Sequence, residues 1–130
     1  MRQHLPHVVI ACNERVRKDY VTRPDLDRLE RFATWEWLHL EVDPGNWGPP
    51  PEDPAATARL VEAMGRADGL VVCHGCPRVT AEVLDAAPRV RIVGELEGDR
   101  FAGRIDVEAA RERNVRVVDT TNESSYPVAE

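Results

Sequence analysis

No long hydrophobic run occurs anywhere in the chain. The apolar stretch nearest the N-terminus, Val8 to Cys12, falls far short of the roughly 18 consecutive apolar residues a membrane span requires. It is also too short for a secretory signal core, so the chain is expected to be soluble and cytoplasmic, with no membrane partner. Positive charge is not in excess: 17 Lys and Arg stand against 23 Asp and Glu, a formal net charge of −6. Attraction to nucleic acid or anionic lipid would then need a local basic patch. Arg15-Val-Arg-Lys18 and Arg111-Glu-Arg113 are too short and too mixed in sign to form one, and no nucleic-acid partner is expected. Cysteine is scarce and odd in number, with only Cys12, Cys73 and Cys76. That fits a reducing compartment and leaves no disulfide framework. Walker, G-x-S-x-G and H-E-x-x-H motifs are missing as well, which removes the nucleotide, hydrolase and zinc-protease chemistries those motifs carry.

What is present is enough for one domain. The chain has 130 residues, of which 42% are apolar, so a packed core is attainable and disorder of the whole chain is excluded. Short β-branched runs recur at Val8–Cys12, Trp35–Val42, Gly69–Cys73, Val90–Gly94 and Val115–Val118. Helix-like segments lie between them, at Pro24–Thr34, Pro54–Arg66, Thr80–Ala87 and Asp106–Asn114. Thr80 and Asp106 are placed to cap the last two, Pro88 stops the first of these, and Asn114 suits a left-handed C-cap.

Alternation of strand and helix predicts an α/β fold. The leading topology is a flavodoxin-like, doubly wound five-stranded parallel sheet, a Rossmann-like three-layer sandwich. Ligands of such sheets sit outside the carboxyl ends of the strands, which directs attention to the loops after Cys12, Cys73 and Gly94. The Pro- and Gly-dense stretch Asp43–Pro54 is expected to be a surface loop, in which Trp47 has no evident role.

Cys73-His-Gly-Cys76 is the most conspicuous tetrad. C-x-x-C is half a zinc site and also a redox motif, and Cys12 and His74 could complete four ligands. No second such pair exists, and Pro77-Arg-Val separates the motif from the next helix. Buried, unreactive cysteines are therefore expected and no metal is assigned. The same loop has another use: Gly75 permits a tight turn, the amides of Gly75 and Cys76 approach a helix start, and His74 and Arg78 add positive candidates, together an anion pocket. His4, His7 and His39 are taken as surface or packing residues. Trp35 and Trp37 share one face of a strand and are expected to pack under a helix. Gly94 to Asp106 is glycine-containing, but its glycines fall at 94, 98 and 103, and Glu95, Glu97 and Asp99 would repel a pyrophosphate. The role of this acidic loop, Glu95–Arg104, is left open.

From Ala67 to Glu130 the chain resembles the substrate-binding domain of the D-isomer-specific 2-hydroxyacid dehydrogenases. The residues that carry the resemblance are Ala67-Asp-Gly-Leu-Val-Val-Cys73, Val79-Thr-Ala-Glu-Val-Leu-Asp-Ala-Ala-Pro88, Val93-Gly94, Ile105 to Val115, Val117-Val-Asp-Thr120 and Val128-Ala-Glu130. The first 66 residues share only the strand and helix rhythm. The resemblance implies a domain that presents the amides of a loop to the carboxylate of a 2-hydroxy or 2-oxo acid. Carried onto this chain, that loop is His74, Gly75, Cys76 and Arg78, with Pro77 at a position that contacts the cofactor. Pro77 departs from the family pattern because it lacks both a hydroxyl and an amide donor.

The resemblance also implies that hydride transfer uses NAD or NADP held by a separate dinucleotide-binding domain, which carries the catalytic residues. That domain is absent from residues 1–130, so the chain alone is expected to be inactive and to hold no catalytic residue. An unpaired docking face should favour self-association. The competing expectation is a free-standing flavodoxin-like binding or interaction module without enzymatic activity.

Overall fold

Every apolar run noted above becomes a strand, and all of them run parallel. The computed structural model describes residues 5–42, 50–96 and 101–119. Its strands are β1 (His7–Cys12), β2 (Thr34–His39), β3 (Gly69–Val72), β4 (Ile92–Glu95) and β5 (Arg116–Asp119), in the order β2-β1-β3-β4-β5. This is the flavodoxin-like order expected from the sequence. The chain starts at β1, one strand in from the edge, moves outward to β2, then crosses back to β3 on the other side of β1. The switch point of the topology therefore lies between the carboxyl ends of β1 and β3.

The period-two alternation of each strand sends side chains to two separate cores. Val9 and Ala11 of β1, and Leu70 and Val72 of β3, join one cluster. Ile10 and Cys12, with Cys73 just past β3, join the other. On the first face lie α3 (Pro54–Met64), α4 (Ala81–Asp85) and α6 (Val107–Glu112), which contribute Leu60, Met64, Val83, Leu84 and Ala110. On the second face lie α1 (Glu14–Asp19) and α2 (Arg23–Leu29), with Val16 and Leu26 packed on Trp35 and Trp37 of β2. The two tryptophans thus pack under helices, as their shared strand face implied.

Side-chain caps start three of the expected helices, at Thr80 and Asp106 as the sequence places them and also at Asp53. Asp53 accepts from Ala56 N at 3.0 Å, Thr80 from Val83 N at 3.4 Å and Asp106 from Ala109 N at 3.0 Å. Asn114 closes α6 with a φ of 61°. Two short helices were not expected. In α1 the only buried residue is Val16, so no apolar period announces it; its start is fixed by Asn13, whose side chain accepts from Val16 N at 2.9 Å. The other, α5 (Phe101–Arg104), falls within the glycine-containing stretch taken as a loop.

Most boundaries fall within about two residues of the sequence expectation, and two differ by more. The second strand ends at His39 rather than Val42, although Leu40 and Val42 stay buried, because Val42 leaves the sheet to pair with Gly75. The helix expected over Pro24–Thr34 ends at Leu29. Trp47 and most of the Asp43–Pro54 loop lie outside the described residues, as do Glu97 and Asp99.

Candidate functional site

At the switch point the chain fills its own crevice. Asn13 donates its backbone N–H to His74 O at 2.8 Å, and Val42 donates to Gly75 O at 3.0 Å. The loops after β1, β2 and β3 are thereby laced together. Gly75 makes the lacing possible: its φ is +99°, and a Cβ there would stand 2.4 Å from Leu40 O and 2.6 Å from Asn13 N. Glycine is required here both by conformation and by space.

The loop residues expected to form an anion pocket are distributed unevenly around this knot. His74 is half-buried, Gly75, Cys76 and Pro77 are buried, and Arg78 is exposed. The Cys76 amide, one of the proposed donors, is given to Cys73 O at 3.1 Å inside the turn. Its thiol is buried too, and burial pushes that thiol above its ordinary range. Burial, only partly offset by a hydrogen bond with Trp37 and the charge of Arg17, likewise pushes the Cys12 thiol up to about 11. Burial thus favours the neutral thiol in both groups, the opposite of the setting that activates a nucleophilic cysteine. Cys12, Cys73 and Cys76 are all buried.

Beyond the knot, Pro77 and Arg78 form one wall of a cleft of about 710 Å³ that opens between the N-termini of α3 and α4. Pro51, Pro54, Ala58 and Val61 give it an apolar floor, while Thr80 and the carboxylates of Glu52, Asp53, Glu62 and Glu82 stand around it. Two of these carboxylates are engaged: Asp53 caps α3, and Glu62 faces Arg66 at 3.5 Å. Arg78 enters no ion pair with a described residue and is the cation that faces this cleft. A small molecule with one anionic end and an otherwise compact body suits such a lining.

Next to the knot, at the end of β4, the structure places a pair that the sequence reading missed. Glu95 and Arg104 are both buried, and one guanidinium nitrogen of Arg104 lies 2.7 Å from each Glu95 oxygen. Glu95 was expected to repel a pyrophosphate; that expectation is corrected, because its charge is met internally by Arg104. The separation of nine residues across a glycine-containing stretch gave no periodic signal for the pair. Among the described residues, the loops after β1 and β3 also do not make a dinucleotide cradle. The loop after β1 is Cys12-Asn13-Glu14 without glycine, and the glycine after β3 is consumed by its contacts with Leu40 and Asn13.

Strand order and the helices on both faces together define an α/β doubly wound domain. Residues 45–130 match the family described as D-isomer specific 2-hydroxyacid dehydrogenase, catalytic domain. The chain belongs to that family, a family of oxidoreductase domains. The match begins ahead of Ala67, where the motif resemblance started, and so takes in α3.

Solved structures agree on the fold. A putative D-3-phosphoglycerate dehydrogenase from Ralstonia solanacearum shares 20% identity with a TM-score of 0.59, over 88% of this chain and 30% of its own. A phosphoglycerate oxidoreductase from Vibrio cholerae O395 shares 14% with a TM-score of 0.60, over 88% and 31%. A putative D-isomer specific 2-hydroxyacid dehydrogenase, NAD-binding, from Polaromonas shares 16% with a TM-score of 0.56, over 88% and 30%. The chain therefore spans about a third of the length of these proteins. No curated protein matches it. Among the described residues, no helix is long and apolar enough to cross a membrane.

Proposed function

We propose that this chain is the substrate side of an oxidoreductase that interconverts a 2-hydroxy acid and a 2-oxo acid with NAD or NADP. The observation that carries the reading is Arg78, an exposed guanidinium on the wall of the cleft between α3 and α4, at the carboxyl edge of a sheet that belongs to this family. A guanidinium holds a carboxylate by charge-assisted hydrogen bonds in a planar, two-pronged geometry. His74 and Gly75 border the same edge, Cys76 and Pro77 hold the loop that aims Arg78, and no catalytic residue is assigned within the chain. Glu52 and Glu82 oppose a second anionic group, so the substrate class is a small monocarboxylic hydroxy acid rather than a diacid.

The nicotinamide supplies the hydride when bound, and a separate dinucleotide-binding domain is its proposed holder, because the loops after β1 and β3 offer no glycine cradle. The proposed partners are the acid substrate and that domain, with self-association through the docking face when the domain is absent, and the proposed compartment is the cytoplasm.

The test has two parts. The gene downstream of the Glu130 codon is read for a strand followed by G-x-G-x-x-G. The protein that includes any such continuation is then assayed for NADH and NADPH oxidation against a panel of 2-oxo acids. Turnover of a monocarboxylic 2-oxo acid supports the reading. Absence of turnover with every acid and both cofactors overturns it, and ligand binding by the 130-residue chain without cofactor would then favour a free-standing binding module.

A further inference from the structure

The carboxyl ends of β1 and β2 bring together three side chains that the proposed substrate site does not use. Glu14, His39 and Glu41 each present one ligand atom, and these atoms lie within 4.8 Å of one another. Strand register is the cause: Cys12 stands opposite His39 in the parallel pair β1 and β2, so Glu14, two residues past β1, reaches the residues that end β2. Leu40 donates its backbone N–H to Cys12 O at 3.2 Å and holds the two strand ends together.

The imidazole is held in place. Its ring stacks on Trp37 with centroids 4.6 Å apart and an interplanar angle of 26°. Nε2 of His39 lies 2.5 Å from Oε2 of Glu41, and the same oxygen accepts the backbone N–H of Glu14 at 3.1 Å. The Glu14 carboxylate is different. It has no hydrogen bond or ion pair with a described residue, although it stands beside a second carboxylate. All three side chains are exposed, and a cleft of about 380 Å³ lined by Asn13, Glu14, Arg15, Lys18, Asp19 and Glu41 borders them, with room for water ligands.

We propose that Glu14, His39 and Glu41 form a site for a divalent first-row transition cation, with zinc as the reference ion. One imidazole nitrogen and two carboxylate oxygens neutralise a doubly charged ion, and three protein ligands leave open positions for water. Imidazole suits zinc and its first-row neighbours, whereas magnesium and calcium prefer oxygen alone, so the mixed donor set selects the former. The ion takes the His39 nitrogen and the Glu41 oxygen that otherwise bond each other, together with an oxygen of Glu14. Its effect on the fold is to tie the start of α1 to the end of β2, beside the loops that carry the substrate cleft.

Zinc is titrated into the 130-residue chain by calorimetry, in parallel with Glu14→Gln, His39→Gln and Glu41→Gln, all exposed positions whose variants are checked for unchanged circular dichroism. The expected result is one equivalent bound, with each substitution weakening it by at least about tenfold. His4→Gln leaves the affinity as it is. Cobalt reports the donor set: carboxylate and imidazole ligation gives weak ligand-field bands without intense thiolate charge-transfer absorption. The proposal is overturned by the absence of stoichiometric binding, which leaves an ordinary surface His–Glu pair. It is also overturned by affinity that survives His39→Gln, by a thiolate band, or by magnesium binding as tightly as zinc. None of these outcomes bears on whether Arg78 holds a hydroxy acid, so the two readings fail separately.

Discussion

Arg104 and Glu95 face each other inside the protein, with one guanidinium nitrogen 2.7 Å from both carboxylate oxygens and both residues almost fully buried. The Nε of Arg104 is buried with no hydrogen-bond partner among the described residues. Removing one partner of a buried pair leaves an uncompensated charge, which typically costs about 3–5 kcal/mol. Arg104→Met is expected to destabilise by about 3 kcal/mol. Adding Glu95→Gln to that variant should restore part of the loss, because the buried carboxylate charge that Arg104 faced is removed with it. Urea unfolding of the single and double variants checks this, and a double variant no more stable than the single would show that packing rather than charge is what Arg104 supplies.

Gly75→Ala tests the knot between the three loops. A side chain at a φ of +99° is strained by about 1–3 kcal/mol, and the added Cβ would stand 2.4 Å from Leu40 O and 2.6 Å from Asn13 N, both backbone atoms with little freedom to move. The expected loss is at least about 2 kcal/mol, accompanied by altered amide shifts at Asn13 and Val42. A variant as stable as the wild type would mean that the loop relaxes into another turn.

Glu36 gives a pH dependence with a definite sign. Two hydrogen bonds from Arg66, together with one from His7, hold its carboxyl down to about 2 from an ordinary 4.5, against the opposing effect of burial. A carboxylate with a depressed folded pKa contributes stability that is fully present above its unfolded value. That contribution is lost as pH falls from about 4.5 to about 2. With its side chain 30% exposed, the full linkage value is screened, and about 1–2 kcal/mol is the expected contribution at neutral pH. Glu36→Gln should therefore be less stable at pH 7 and match the wild type near pH 2. Thermal melts across that range measure it, and a constant difference at all pH values would remove the carboxylate charge as the cause.

The strands and capped helices were legible because their signals are local. Val8 to Cys12 declares a strand by its own composition, and Asp53, Thr80 and Asp106 occupy N-caps that need no distant partner. The candidate site was legible only in part. Arg78 and the glycine of the β3 loop are visible in sequence, but the use of Gly75 is to admit Leu40 and Asn13, residues far away along the chain. Glu95 with Arg104, and Glu14 with His39 and Glu41, depend on register between elements, which composition does not encode. His39 in particular looks like any surface histidine until the pairing of β1 and β2 sets Glu14 beside it.

Arg78 is the residue on which the functional reading turns. It is exposed on the cleft wall, so its removal should change stability by no more than about 0.5 kcal/mol. A charge-assisted hydrogen bond to a substrate carboxylate contributes about 1.5–3 kcal/mol, so Arg78→Met should weaken binding of a 2-oxo acid by about 10- to 100-fold. Arg78→Lys should recover only part of this, because an ammonium ion keeps the charge but loses the two-pronged geometry. Titration of the chain with a monocarboxylic 2-oxo acid, followed by amide shifts at His74, Arg78 and Thr80, reads the affinity directly. Shifts that saturate equally in wild type and Arg78→Met would move the carboxylate site elsewhere on the carboxyl edge. Shifts that vanish in the variant, while its unfolding midpoint stays unchanged, would tie the loss to the missing guanidinium rather than to a disturbed fold.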